Sequence, residues 1–152
     1  MSRARPQMGT QGDVLGARIA ALLIDLLITT VVGVVIVLLF LAVGIGSGSR
    51  ALTGILTVLL IPISLVLQFG YFIYFEAERG QTPGKSVMDI VVVTEDGGDL
   101  DYGTSAIRNI LRIVDQLGVV IPYLVGLLLI LVTDDSQRIG DLVADTVVVK
   151  TE

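Results

Sequence analysis

Arg18-Ile-Ala-Ala-Leu-Leu-Ile-Asp25-Leu-Leu-Ile28 places two opposite charges inside an otherwise apolar run. On a helix, seven residues make about two turns, so both side chains share a face roughly 10 Å apart along the axis. Lipid cannot solvate an ionised carboxylate, and a charge near the centre of a membrane helix costs roughly 2.5 to 3.5 kcal/mol. Asp25 therefore needs a partner, a wet cavity or a proton. From Gly16 to about Val43 there is no other charge, and that length spans about 30 Å of hydrocarbon with some tilt. The run is too long for the apolar part of a signal peptide and is read as a retained span.

The rest of the chain agrees with a bilayer as its solvent. Hydrophobic residues make up 53% and charged residues only 16%, with a mean hydropathy of +0.87, outside the globular balance. Cys and His are both absent, which removes thiolate nucleophiles, imidazole bases and the usual metal ligand sets, so no cofactor and no enzyme is expected. Proton chemistry falls to carboxylates. A net charge of −5 argues against nucleic acid as a partner, which wants a basic face. Acid-rich loops with few lysines fit a cytoplasm of high salt.

Gly44 to Arg50 has the composition of a tight turn, and Ala51 to Phe75 forms a second charge-free run containing Pro62. Arg3, Arg5 and Arg18 precede the first span, and Arg79 and Lys85 follow the second. The positive-inside bias then puts the N-terminus in the cytoplasm of a multi-pass protein of the cell membrane. Residues 1–13 read as a short disordered tail. A polar insertion over 76–103 contains Ser86-Val-Met-Asp-Ile-Val-Val-Val-Thr94, a strand signal stopped by Asp96-Gly97-Gly98 and expected to form a hairpin. Ala144-Asp-Thr-Val-Val-Val-Lys150 has the same character and predicts a C-terminal strand over 144–150.

Between Thr104 and Gln116 the polar residues Ser105, Arg108, Asn109, Arg112, Asp115 and Gln116 occupy one helical face. Arg108 and Asp115 repeat the spacing of Arg18 and Asp25, which chance and a common repeat both explain. The apolar stretch to Val132 is either one long helix over 105–132 or a helical hairpin broken at Gly118 and Pro122. The broken form is favoured, because it lets the C-terminal strand meet the hairpin around Val91. The expected fold is thus an all-α membrane protein with spans at 16–43 and 51–75, a third apolar helix or broken hairpin, and a small cytoplasmic β element, all within a membrane domain covering 14–150.

Gly80-Gln-Thr-Pro-Gly-Lys85-Ser86 suggests a phosphate loop, but only three residues separate its glycines. It also follows a membrane helix, and Pro83 removes a backbone donor. A turn with Lys85 on lipid headgroups is the preferred reading. The acids at 95–101 and Asp134-Asp135 read as solvated loop charge. Arg138 and Asp141 can pair on one helical turn, which gains weight only if Asp141 also reaches Arg108 or Arg112.

Taken in order, the Arg and Asp of the first helix, Gly80–Ser86 with its valine strand, Arg108 and Arg112, and Gln137-Arg138-Ile-Gly-Asp141 with Thr146-Val-Val-Val149 resemble the RDD family of small prokaryotic membrane proteins. The resemblance covers Leu15 to Val149 and carries the family's charges onto Arg18, Asp25 and Asp141. Asp89 and Asp145 stand where glycine is common in the family. What the resemblance implies is transport, with cation/proton exchange attributed to some members. Arg18 and Asp25 then form either the working inner pair or a static bridge, with Arg108, Arg112, Asp115, Arg138 and Asp141 as a polar set on the cytoplasmic side. The expected partners are the bilayer, a monovalent cation and a proton, and further copies of the chain, since so few helices enclose little cavity. The alternative is a non-transporting scaffold that docks a partner through its β segment.

Overall fold

A computed structural model describes residues 4–112, 124–133 and 136–152. Helix α1 (Leu15–Gly46) and helix α2 (Arg50–Arg79) form an antiparallel hairpin. Both are long and apolar enough to cross a membrane; at 1.5 Å per residue they extend for about 48 and 45 Å. Ser49 starts α2 by accepting the Leu52 N–H, and the helix continues through Pro62, as lipid-embedded helices tolerate. Each helix outruns its expected span: α1 also takes in Leu15 and Gly44–Gly46, and α2 also takes in Arg50 and the polar turn Glu76–Arg79.

Gly80 ends α2 with a left-handed φ of 69°. A Cβ here would stand 2.9 Å from Val91 Cγ2 and 3.0 Å from the Val92 carbonyl oxygen, so both its conformation and its surroundings require glycine. The one-turn helix α3 (Pro83–Val87) follows, with Pro83 in its first turn and Thr82 capping the Lys85 N–H. Strand β2 is therefore shorter than the sequence signal, Ile90–Thr94.

The expected hairpin within the insertion does not form. Asp96-Gly97-Gly98 does make a turn, in which Thr94 accepts the Gly97 N–H and Gly98 accepts the Thr94 N–H, but no strand returns from it. β2 pairs instead with the distant C-terminal strand β3 (Thr146–Thr151), antiparallel, with Val91 opposite Val149 and Val92 opposite Val148. The first strand, β1 (Pro6–Gln7), pairs with the far edge of β3, giving the order β1-β3-β2. A disordered tail is thus corrected over residues 6–13: Thr10 accepts the Lys150 N–H at 2.8 Å, and Gln11–Asp13 form a 3-10 turn. Unpaired β3 backbone recruits this segment, an effect that polar composition cannot reveal.

Both faces of the sheet are covered, which explains unbroken valine where a half-solvated sheet would alternate. Ile90, Val92 and Val148 pack with Val14 and Ala21 of the α1 start and with Leu100, while Val91, Val93, Val147 and Val149 pack on the other face with Ala4. Helix α4 (Tyr102–Ile110), capped by Asp101, lies against α2. Among the described residues, helices α5 (Leu124–Val132) and α6 (Ile139–Val143) follow and lead into β3. Gly118 and Pro122, on which the two readings of 105–132 turn, lie outside the described residues, as do Asp115, Asp134 and Asp135.

One module occurs twice at a constant displacement. Gln81 and Gln137 each donate their amide to the first carbonyl of the strand that follows, Ile90 and Thr146. Thr82 and Arg138 hold the N-cap positions, Gly84 and Gly140 lie in the one-turn helices, and Val92 and Val148 face each other at the middle of the ladder. A local two-fold therefore passes through that valine pair. Asp89 and Asp145 occupy matching places before the strands, with φ of 52° and 48°, and no described residue bonds either carboxylate. Left-handed backbone costs an L-residue about 1 kcal/mol or more. Asp89→Gly and Asp145→Gly should each stabilise the fold by about 1 kcal/mol, read as a higher midpoint of thermal unfolding in detergent micelles; a lower midpoint for both would show that the turns do not store this strain.

Candidate functional site

Charged side chains converge where α1, α2, α4 and the two one-turn helices meet. Three acids are buried there: Asp25 at 1% exposure, and Glu76 and Asp141 at 0%. Their surroundings differ.

Asp25 accepts three hydrogen bonds: Tyr71 Oη at 2.8 Å, Thr82 Oγ1 at 2.5 Å and the Gly84 N–H at 2.8 Å. It ties α1 to the start of α3. A Cβ on Gly84 would lie 2.8 Å from the Asp25 carboxyl carbon and closer still to the Ala21 carbonyl, so glycine is what lets the helices approach. The expected ion pair between Arg18 and Asp25 is absent. Arg18 lies on the first turn, where its side chain leaves the helix end and reaches α6 instead, with Nη2 2.5 Å from Asp141 Oδ2 and Nη1 donating to the Ser136 carbonyl. Asp25, two turns deeper, meets α3 rather than Arg18.

Asp141 has three guanidinium partners. Besides Arg18 it meets Arg108 Nη1 at 2.6 Å and Arg138 Nε at 3.2 Å. Burial alone would raise its pKa, but Arg108, Arg18 and Arg138 outweigh that and hold the carboxyl well below the usual range. The Arg138–Asp141 pair thus gains the second contact that gives it weight. Arg108, 1% exposed, bridges two acids, since its Nε lies 3.0 Å from Glu76 Oε2.

Glu76 was not singled out in the sequence. Lys85 Nζ lies 2.5 Å from Oε1, Asn109 Nδ2 2.8 Å from Oε2 and Arg112 Nη2 4.0 Å from Oε1. The Arg112 guanidinium also stacks over Phe72, 3.7 Å from the ring centroid. Its signal was available: Glu76 is the first charge after the run from Ala51 to Phe75, and only its assignment to the polar insertion hid it. Lys85 is likewise corrected, being buried on Glu76 rather than placed on headgroups. Burial pushes its ammonium down to about 7; Arg108 and Arg138 add to this, and Glu76 opposes it. With Lys150→Arg leaving a single lysine, side-chain nitrogen resonance should show Lys85 titrating near neutrality. A midpoint of about 10, the ordinary value, would show that the Glu76 attraction dominates burial. Because the folded protein would bind fewer protons than the unfolded chain between about pH 7 and the ordinary lysine value, the Lys85 contribution to stability rises with pH across that window.

The two modules seat alike. A Cβ on Gly140 would collide with the Arg108 carbonyl as one on Gly84 would with that of Ala21. Ala21 thus corresponds to Arg108 and Asp25 to Arg112, so the repeated Arg-to-Asp spacing in the sequence is not the structural correspondence. Among the described residues no group of three or more acids, His or Cys is placed to hold a metal. Of the loop acids, Asp101 caps α4 and Asp96 accepts the Thr94 hydroxyl.

No curated protein and no solved structure matches the chain. The model of the RDD family matches residues 14–145, from the residue before α1 to the residue before β3. The match and the two apolar helices suggest a membrane protein, and by that match the chain belongs to the RDD family.

Proposed function

We propose that this protein moves a monovalent cation against a proton, with Asp25 as the exchanging group. The carrying observation is the contrast among the buried acids: Glu76 and Asp141 each lie against several cations, whereas every described partner of Asp25 is neutral. A carboxyl held by hydroxyls and one amide can release a proton to water and take a cation in its place without stranding a buried positive charge. In this reading the arginine-rich end faces the cytoplasm, the cluster around Glu76 and Asp141 is the rigid frame, and further copies of the chain supply walls that one copy lacks. No enzymatic step and no cofactor is invoked.

The scaffold alternative draws less support. Docking through the β segment needs a free strand edge, yet on β2 the Val92 N–H is bonded to Gly80 and the Ile90 carbonyl to Gln81.

Asp25→Asn keeps the side chain's size and an acceptor for Tyr71. In proteoliposomes with a pH-sensitive dye inside, sodium or potassium gradients should drive pH changes in the wild type and none in Asp25→Asn, with equal reconstitution of both. Absence of any cation-driven pH change in the wild type would sink the exchanger and leave the scaffold.

A further inference from the structure

The seam between α1 and α2 opens sideways below Asp25 into a cavity of about 350 Å³. A second cavity of about 220 Å³ continues it, sharing Gly33, Ser64 and Leu67. The upper part carries the polar groups Thr29, Ser64, Gln68 and Tyr71, and the lower part is walled by Ile36, Leu60 and Ile63. None of the lining residues is charged. Gln68 is eight residues before Glu76, about 12 Å along the axis, which puts its amide inside the hydrocarbon layer.

A count of hydrogen-bonding capacity narrows what fits. The three hydroxyl protons are spent within the protein: Thr29 donates to the Asp25 and Leu26 carbonyls, Ser64 to the Ile61 carbonyl and Tyr71 to Asp25. Each hydroxyl therefore turns only lone pairs toward the cleft. No described residue bonds the Gln68 side chain, whose NH2 group is the only spare donor group among the lining side chains and whose carbonyl is a further acceptor, and an amide left unsatisfied in hydrocarbon is costly. An occupant must come from the bilayer, carry no charge, accept one hydrogen bond and donate one.

We propose that this cleft binds an uncharged lipid alcohol, its hydroxyl accepting from Gln68 and donating to one of the neighbouring oxygens while its chain runs down past Ile36, Leu60 and Ile63. The site does not depend on exchange at Asp25. An ionic headgroup has no counter-charge here, and a ketone or ether lacks the donor that the acceptor-rich wall calls for.

Protein in phosphatidylcholine nanodiscs is photolabelled with a decanol bearing a diazirine midway along its chain, and labelled peptides are mapped by mass spectrometry. Labels are expected to gather on α1 around Ile36 and on α2 around Leu60 and Ile63. Decanol should compete about fivefold better than 1-methoxydecane, one hydrogen bond's worth, and Gln68→Leu should weaken labelling by about the same factor. Nothing crowds Gly33, so Gly33→Leu can fill the junction of the two cavities and should abolish labelling even where Gln68→Leu fails to assemble. Labels scattered over the outer faces of both helices, equal competition by alcohol and ether, or unchanged labelling in the variants would overturn the site. A Gln68→Leu protein that falls from multimer to monomer in native mass spectrometry would overturn it too, by making a second copy the partner of that amide.

Discussion

Glu76→Ala should lower stability by about 3 to 5 kcal/mol, enough to remove most of a typical domain's margin. Glu76 is fully buried, and its carboxylate is the common counter-charge of Lys85, Arg108 and Arg112. Removing it leaves those cations facing one another where water cannot screen them. The attraction lost is larger than for a surface pair, worth about 0 to 1 kcal/mol. Glu76→Gln keeps the volume and one acceptor for Asn109, so a loss nearly as large in that variant identifies charge rather than packing as the cause. Denaturant unfolding in micelles measures both. Should Glu76→Gln lose less than about 1 kcal/mol, the cluster is held by shape and its ion pairs are incidental. Glu76→Ala combined with Lys85→Ala should cost less than the two losses added, because the second change removes a charge the first had stranded.

Asp141→Asn is the second large effect, again about 3 to 5 kcal/mol, and it acts through topology as well as charge. Asp141 receives Arg18 from α1, Arg108 from α4 and Arg138 from its own cap, so its loss unties the C-terminal module from the start of the first span. The pH dependence has a definite sign. A carboxyl whose folded pKa is depressed contributes stability fully above its unfolded value, about 3.9, and loses that contribution as pH falls toward the folded value. Wild-type stability should therefore fall below about pH 5, more steeply than that of Asp141→Asn; matching slopes would clear Asp141 of the acid sensitivity. Exchanging Arg108 and Asp141 for one another should not restore the fold, because Arg108 also serves Glu76.

Local rules carried much of the architecture. Two apolar runs bounded by a turn could hardly be anything but a helical hairpin, the valine tracts after Asp89 and Asp145 could pair only as strands, and an acid inside α1 had to face protein. The unusual aspartates were visible too: Asp89 and Asp145, which the family resemblance set where glycine is expected, both have left-handed backbone, as does Ser136. The partners were less legible. Spacing along a helix states which side chains share a face, and Arg18 and Asp25 do, yet sharing a face does not bring them together. Whether Arg18 turned inward along α1 or outward to Asp141 was settled by where α6 arrived. Glu76 escaped notice because its cations come from α3, from α4 and from Arg112 just past the end of α4, and the tail was misread because β3 alone creates its pairing partner.

Composition and periodicity determined by themselves that this chain builds apolar helices with buried charge, since the cost of exposing backbone and charge to hydrocarbon belongs to each segment wherever its neighbours lie. Only the tertiary structure decided which cation answers which acid, because such attractions act within a few ångströms and those distances exist only after the sheet has brought the two repeated modules side by side.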